Sequence, residues 1–301
     1  MAEDLGELDV SVVLPCHNEQ DHVEAEIDRI CAALRASPYT FEVVAIDDAS
    51  TDDTPEALRR AAKAHPELVI TTFRRNGGAG TARRIGTQSA RGRYVAWTDA
   101  DMTYPNERIP ELVDMLQTDE TYDQVVGART SEQGTMRVLR VPAKWFVRKL
   151  AERLTGERIP DLNSGLRVFR REVALPYLPL LPPGFSCVTT ITLSFLSNQH
   201  DIKYTPIEYK PRAGRSKFSP VKDAYRYLLQ VFRMVMYFNP LSVLMPPALA
   251  MLGVAFVKAF YDMWRTPFYV HTNTIVLFLT GLIIGTLALL ADLIVRSRPQ
   301  G

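Results

Sequence analysis

The sequence predicts an α/β protein: a mostly parallel sheet flanked by helices, followed by an amphipathic helix and a two-helix transmembrane hairpin. Three observations lead there. From Val10 to Val126, short apolar runs alternate with helix-length segments, the pattern of a largely parallel sheet covered on both faces. Several of those runs end in carboxylates, at the strand ends where ligands collect in open α/β sheets. Two long, nearly uncharged segments close the chain, and each is long enough to cross a bilayer.

The first run, Val10 to Pro15, leads into Asn18, Glu19 and an amphipathic stretch reaching about Ala36. The second, Glu42 to Asp47, ends in Asp47 and Asp48. Thr51 to Pro55 then starts a helix, with hydroxyl and carboxylate cap candidates and a proline suited to the first turn. Leu68 to Phe73 is the third run, Tyr94 to Trp97 the fourth and Gln124 to Ala128 the fifth.

Composition narrows the function. With 301 residues, 47% of them hydrophobic, the chain can bury a sizeable core, and a net charge of +1 argues against a nucleic-acid-binding protein. Cys16, Cys31 and Cys187 share no metal-like spacing and read as reduced thiols of a cytosol-facing domain. The acidic stretch from Met1 to Asp9 lacks the apolar centre of a signal peptide.

The central motif is Asp99-Ala-Asp101, directly after the fourth run. Two acids there suit a hard divalent cation held together with substrate phosphates, although a polar turn alone explains the pair equally well. Glu19, Asp47 and Asp48 end the first two runs on the same predicted edge. Clustered acids need donors or a cation, which a nucleotide's base and ribose and a metal can supply. Between the third and fourth runs, Arg74 to Gly86 is a glycine-containing loop feeding a helix, with Asn76 and Arg83 as candidate ligand contacts. Its glycine spacing fits neither a dinucleotide fingerprint nor a P-loop.

In order along the chain, Pro15-Cys-His-Asn-Glu19, Asp47-Asp-Ala-Ser-Thr-Asp-Asp-Thr54, Arg75-Asn-Gly-Gly with Gly86 downstream, and Asp99-Ala-Asp101 resemble family 2 glycosyltransferases of the GT-A fold. Asp161-Leu-Asn-Ser-Gly-Leu-Arg-Val-Phe169 and Arg212-Ala-Gly-Arg-Ser-Lys217 resemble the polyisoprenyl-phosphate branch, the dolichyl-phosphate-mannose-synthase-like enzymes. The sequence departs from the usual pattern at His17, where the family commonly has Tyr, and at Thr103, where Gln is frequent. The resemblance implies a metal-dependent, inverting transfer of one sugar from a GDP- or UDP-linked nucleotide sugar to polyprenyl or dolichyl phosphate. Asp99 and Asp101 would hold Mg²⁺ or Mn²⁺. Pro15, His17, Glu19, Asp47, Asp48, Asn76, Arg83 and Asp99 would meet the nucleotide sugar. Arg129, Arg148, Ser164, Arg212, Ser216 and Lys217 would meet the acceptor phosphate, and Asp161 would orient the acceptor or act as a weak base.

The rest of the chain fits an acceptor that lives in a membrane. Arg129 to Gly156 is basic with helical periodicity, and Val173 to Gln199 is uncharged but broken by prolines. Its second half, Ser186 to Leu196, is too short to span and reads as buried or membrane-apposed. Ile202 to Tyr209 resembles an edge strand, and Lys210 to Lys217 is a basic loop suited to phosphate. Lys222, Arg226, Gln230 and Arg233 fall on one stripe of a helix suited to the membrane interface. The expected organisation is a cytoplasmic catalytic domain over 1–218, the interfacial helix over 219–239, and a hairpin over 240–301. The hairpin's spans lie at about 241–261 and 274–295, with Lys258 reaching toward the headgroups and a short cytoplasmic tail following. Eight Lys and Arg between Lys203 and Arg233, against Lys258 and Arg265 near the intervening turn, place the large domain in the cytoplasm of an integral membrane protein, with a prokaryotic cell membrane the expected location. A non-catalytic membrane-anchored nucleotide-sugar-binding scaffold and a sugar-polymer synthase are the rival readings. The synthase would require a longer membrane region and a Gln-x-x-Arg-Trp segment. A homo-oligomer is left open.

Overall fold

The computed structural model describes residues 8–130, 152, 159–184, 186–210, 236, 240–267 and 269–296. The chain divides into two compact units, Met1–Tyr227 and Leu228–Gly301. The expected interfacial helix over 219–239 and the basic stretch from 131 onward lie almost wholly outside the described residues.

The first unit is built as β1 (Leu8–Cys16), α1 (Val23–Arg35), β2 (Phe41–Asp47), α2 (Thr54–Ala64), β3 (Leu68–Thr72), α3 (Ala79–Ser89), β4 (Gly92–Trp97), α4 (Ile109–Thr118) and β5 (Tyr122–Arg129). After it come β6 (Arg167–Arg170), the short α5 (Arg171–Ala174), α6 (Cys187–Ser197) and β7 (Asp201–Ile207). The seven strands form one sheet in the order β3-β2-β1-β4-β6-β5-β7. β1 to β4 pair in parallel, β5 and β7 pair in parallel, and β6 is antiparallel to both β4 and β5. The sheet is therefore mostly parallel, with one reversed strand in its interior.

Strands β1, β2 and β4 are buried on both faces, which is why they read as continuous apolar runs. On one face, Val10, Val12 and Leu14 of β1 pack with Ile27, Ile30 and Leu34 of α1 and with Ile109, Leu112 and Leu116 of α4. On the other, α3 comes so close to β1 that a Cβ on Gly86 would lie 2.5 Å from Val13. Trp97, Phe169 and Phe195 continue that side as an edge-to-face chain, with centroids 5.2 and 6.2 Å apart. α6 is buried from Cys187 to Leu196, so this charge-free stretch is core of the first unit. At the start of α2, the Asp52 carboxylate accepts from the Thr54 amide at 3.0 Å and its hydroxyl at 2.6 Å, and Pro55 takes the first turn.

The second unit is a hairpin of α7 (Pro240–Arg265, 26 residues) and α8 (Thr272–Arg296, 25 residues). At about 1.5 Å per residue each exceeds the roughly 30 Å hydrocarbon core. The helices approach closely at Gly281, where a Cβ would sit 3.0 Å from Leu252 and 3.2 Å from the Ala248 carbonyl. Near the turn, Asp262 accepts from the Thr274 hydroxyl at 2.6 Å and the His271 amide at 3.2 Å. Lys258, expected to reach toward the headgroups, donates to Thr274 at 2.8 Å and to Asp262 at 3.3 Å.

Candidate active site

The carboxyl ends of β1, β2, β4, β5 and β7 share one edge of the sheet with the amino end of the reversed β6. Three non-glycine residues just past these strands adopt left-handed backbone: Asn18 (φ 57°), Ala49 (φ 54°) and Met102 (φ 60°). Such conformations persist only where surrounding contacts fix them, and they concentrate at binding sites.

The loops after β1 and β2 are stitched together. The Asn18 side-chain carbonyl accepts from the Thr51 amide at 2.8 Å, the Asn18 amide donates to Ser50 at 3.1 Å, and the Glu19 amide donates to Thr54 at 2.8 Å. Pro15 pairs with Ile46 in the β1–β2 register. His17 Nδ1 lies 2.9 Å from the Asp48 carbonyl, and the Asn76 amide group lies 3.4 Å from that same oxygen. The Asp48 carboxylate accepts from the Gly77 and Gly78 amides at 2.6 and 2.7 Å, so it holds the glycine loop beside β2. Gly78, at φ 81°, supplies the backbone that this turn into α3 needs. Asp47 Oδ1 accepts from the Ser50 amide at 3.0 Å, whereas its buried Oδ2 has no partner among the described residues. A buried acceptor left this way is costly unless a ligand donor reaches it.

Arg83, a candidate nucleotide-sugar contact, is turned toward Asp99. It is 1% exposed, donates to Asp99 Oδ1 at 2.6 Å and stacks over the Trp97 ring. Burial acts to lower its pKa, but the charge of Asp99 and the Cys187 sulfur outweigh that, so it stays protonated. Asp99 thus comes to the site with a fixed orientation. Asp101, buried, accepts at Oδ1 from the Thr103 hydroxyl (2.6 Å) and amide (3.3 Å). On the far side of Asp99, a Cβ at Gly165 would be 2.9 Å from Asp99 Oδ2, and the Gly165 amide donates to the Tyr104 hydroxyl at 2.7 Å. The donor set is hard carboxylate and hydroxyl oxygen beside a Cα with no side chain. It fits Mg²⁺ or Mn²⁺ rather than a softer ion.

Arg129, at the end of β5, forms a two-point ion pair with Asp161 at 2.7 and 2.9 Å and covers the Tyr209 ring at 5.3 Å. Burial would raise the Asp161 pKa, but the hydrogen bonds and charge of Arg129 prevail and lower it. Asp161 is therefore an ionised partner that orients Arg129, a poor arrangement for a base. Beyond β7, the Lys210 amide donates to the Thr103 carbonyl at 3.0 Å, which ties the root of the basic loop to the Asp101 turn. Ser164 is fully buried, and its hydroxyl has no partner among the described residues. Arg148, Arg212, Ser216 and Lys217 lie outside the described residues.

Several residues here were not singled out in the sequence. Glu26, fully buried, accepts from Asn106 at 2.8 Å and from Arg29 at 2.6 Å. Arg29 in turn donates to the Tyr104 carbonyl at 2.5 Å, so α1 braces the loop that follows Asp101. An acid in phase with Val23, Ile27 and Ile30 on the apolar face of α1 was the available signal. Arg167, also fully buried, donates to the Ser164 carbonyl and to Thr192, and burial with the nearby Arg83 lowers its pKa to about 10.

A family model described as "Glycosyl transferase family 2" matches residues 11–177. The undecaprenyl-phosphate 4-deoxy-4-formamido-L-arabinose transferase of Yersinia pestis (strain Pestoides F) is 30% identical over 191 residues, 60% of this chain and 57% of that protein. The dodecaprenyl-phosphate galacturonate synthase of Rhizobium johnstonii is 30% identical over 55% of this chain and 49% of its own length. This chain thus matches about half of the length of these curated relatives. Glucosyl-3-phosphoglycerate synthase from Mycobacterium tuberculosis, solved with Mn²⁺ and UDP-glucose, superposes with a TM-score of 0.60 at 20% identity, over 75% of this chain and 79% of that one. That likeness establishes the fold.

Proposed function

Because the chain belongs to glycosyl transferase family 2, we propose that it transfers a single sugar from a GDP- or UDP-linked nucleotide sugar to polyprenyl phosphate, with inversion, at the cytoplasmic face of a membrane. One observation carries this reading. The Asp99–Asp101 turn, the Asp161–Gly165 segment and the root of the basic loop at Lys210 meet at a single sheet edge. The relatives named for undecaprenyl-phosphate and dodecaprenyl-phosphate products support a lipid phosphate as acceptor. Two helices long and apolar enough to cross a membrane support the location.

Asp47 would take a donor of the ribose or base on its unpartnered oxygen, with His17, Glu19 and Asp48 shaping the pocket. Asp99 and Asp101 would hold Mg²⁺ or Mn²⁺, which supplies positive charge to the departing diphosphate when bound. The acceptor needs little activation, because a phosphate monoester with a second pKa near 6 is largely dianionic at neutral pH. Its oxygen forms the new bond to the anomeric carbon as the bond to the nucleoside diphosphate breaks, and no proton need move. The protein's task is in-line placement. Arg129, held by Asp161, would flank the acceptor phosphate together with Ser164, Arg148, Arg212, Ser216 and Lys217.

Membranes containing the full chain, given labelled nucleotide sugars and polyprenyl phosphate, should yield a lipid carrying one sugar. Asp101→Asn should abolish it, and excess EDTA should do the same. A polymeric product or none across a panel of donors refutes the proposal, and full activity in EDTA refutes the metal assignment.

A further inference from the structure

The opposite edge of the sheet, at the amino ends of the strands, carries a second cluster with metal-binding chemistry. Cys31 on α1, His65 just past α2 and Glu67 just before β3 each offer one ligand-type atom, and these atoms lie within 4.8 Å of one another. Cys31 is fully buried and His65 is 7% exposed. His65 Nε2 lies 2.5 Å from the Asp28 carboxylate, while its Nδ1 is buried and has no hydrogen-bond partner among the described residues. An imidazole tied through one nitrogen to a carboxylate, with the other buried beside a thiol and a carboxylate, is the usual environment of a metal-ligating histidine.

We propose that Cys31, His65 and Glu67 bind a Zn²⁺ ion, with Asp28 orienting the imidazole and water as the fourth ligand. Sulfur, nitrogen and oxygen donors together favour Zn²⁺ over Mg²⁺ or Mn²⁺. Charge agrees. The carboxylates of Asp28 and Glu67 face one guanidinium, that of Arg35, which pairs with Glu67 at 2.9 and 2.7 Å. The cluster is left one negative charge, and a divalent ion entering with release of the Cys31 proton to solvent brings it to neutrality. Zn–ligand bonds of about 2.0–2.3 Å put tetrahedral donors roughly 3.3–3.8 Å apart, so the observed spread needs to close by about 1 Å. Glu67, partly exposed and paired with the exposed Arg35 side chain, is the ligand with room to turn inward. The ion would cross-link α1 to the α2–β3 connection, away from the sugar-transfer edge.

The test uses the full chain purified in detergent, stripped with chelator and titrated with Co²⁺. Thiolate ligation gives a charge-transfer absorption that the all-oxygen Asp99–Asp101 cluster cannot produce. One equivalent of Co²⁺ should produce the band, and one of Zn²⁺ should remove it. Asp101→Asn should keep it, and Cys31→Ser should lose it. The partly exposed Glu67→Gln, chosen because it spares the core, should weaken Co²⁺ binding at least tenfold while leaving circular dichroism unchanged. Absence of the band in folded wild-type protein overturns the proposal. So does a band that survives Cys31→Ser, or unaltered affinity in Glu67→Gln.

Discussion

Replacing Asp161 by Asn separates two roles that its position allows. The side chains of Arg129 and Asp161 are 15% and 10% exposed, and they share two charge-assisted bonds at 2.7 and 2.9 Å. Removing one partner of such a pair strands the other, at about 3–5 kcal/mol for full burial. Residual exposure and the amide's remaining acceptor bring Asp161→Asn to about 2–3 kcal/mol, with Arg129→Met similar. In a domain of this size about 1 kcal/mol shifts Tm by roughly 2–4 °C, so each variant should melt about 4–12 °C below wild type. The double variant should lose less than the two singles together, by about 1–2 kcal/mol. The folded Asp161 pKa is lowered, so its contribution is present above the unfolded value near 3.9 and disappears as pH falls through the lower folded value. The gap between wild type and Asp161→Asn should therefore narrow only below about pH 4. Thermal unfolding of the four proteins across pH measures both effects. Additive losses, or a gap that closes already near neutral pH, would refute the ion-pair account. If Asp161 instead served as base, Asn would remove the acid limb of the pH–rate profile without the stability loss.

Three further perturbations follow from the geometry. Gly165→Ala sets a methyl 2.9 Å from Asp99 Oδ2, 3.1 Å from Tyr104 and 3.2 Å from Arg83. Overpacking of this kind costs about 1–3 kcal/mol, so the variant should fold, and transfer at saturating donor should drop at least tenfold in initial-rate assays. Arg83→Met removes a buried cation next to Asp99 but also relieves its repulsion with Arg167. A loss of about 2–3 kcal/mol in unfolding measurements should accompany a changed metal dependence, read from a Mn²⁺ titration of activity. Glu26 has a raised pKa, chiefly from burial, so folding takes up a proton between the ordinary carboxylate value near 4.3 and the folded one. Its contribution to stability grows as pH falls through that window, and Glu26→Gln should flatten this slope in Tm plotted against pH.

The strands that position the site were readable because each is a continuous apolar run closed by acids, and β1, β2 and β4 lie where those runs lie. β6 was not readable. Only Val168 and Phe169 are apolar between Arg167 and Arg170, and nothing local announces that Arg167 is buried with its charge met by Ser164 and Thr192. Arg83 and Arg129 were recognisable as site residues, but their partners were not, because Asp99 is 16 residues away and Asp161 is 32 away. Pairing across such distances depends on topology, which periodicity does not encode. The cluster of Cys31, His65 and Glu67 was hidden for the same reason, since Cys31 on α1 lies 34 residues before the His65–Glu67 connection it meets.

The reversed β6 explains how the Asp99–Asp101 turn and the Asp161–Gly165 segment come together. In a wholly parallel sheet the segment entering that strand would begin at the far edge. β4, six residues long at about 3.3 Å each, would then hold it roughly 20 Å from Asp99. Reversal delivers Asp161, Ser164 and Gly165 to the edge where Asp99 already stands. Three ties then lock segments distant in sequence: Gly165 to Tyr104, Asp161 to Arg129, and Lys210 to Thr103. Transfer requires the attacking oxygen about 3–3.5 Å from the reacting carbon, and a displacement of about 1 Å can cost a hundredfold in rate. Loops tethered only to their own strands would not hold that tolerance. Here the turn carrying Asp101 is bonded to Lys210 and Tyr104 to Gly165, so a shift in one of these segments is passed directly to the others.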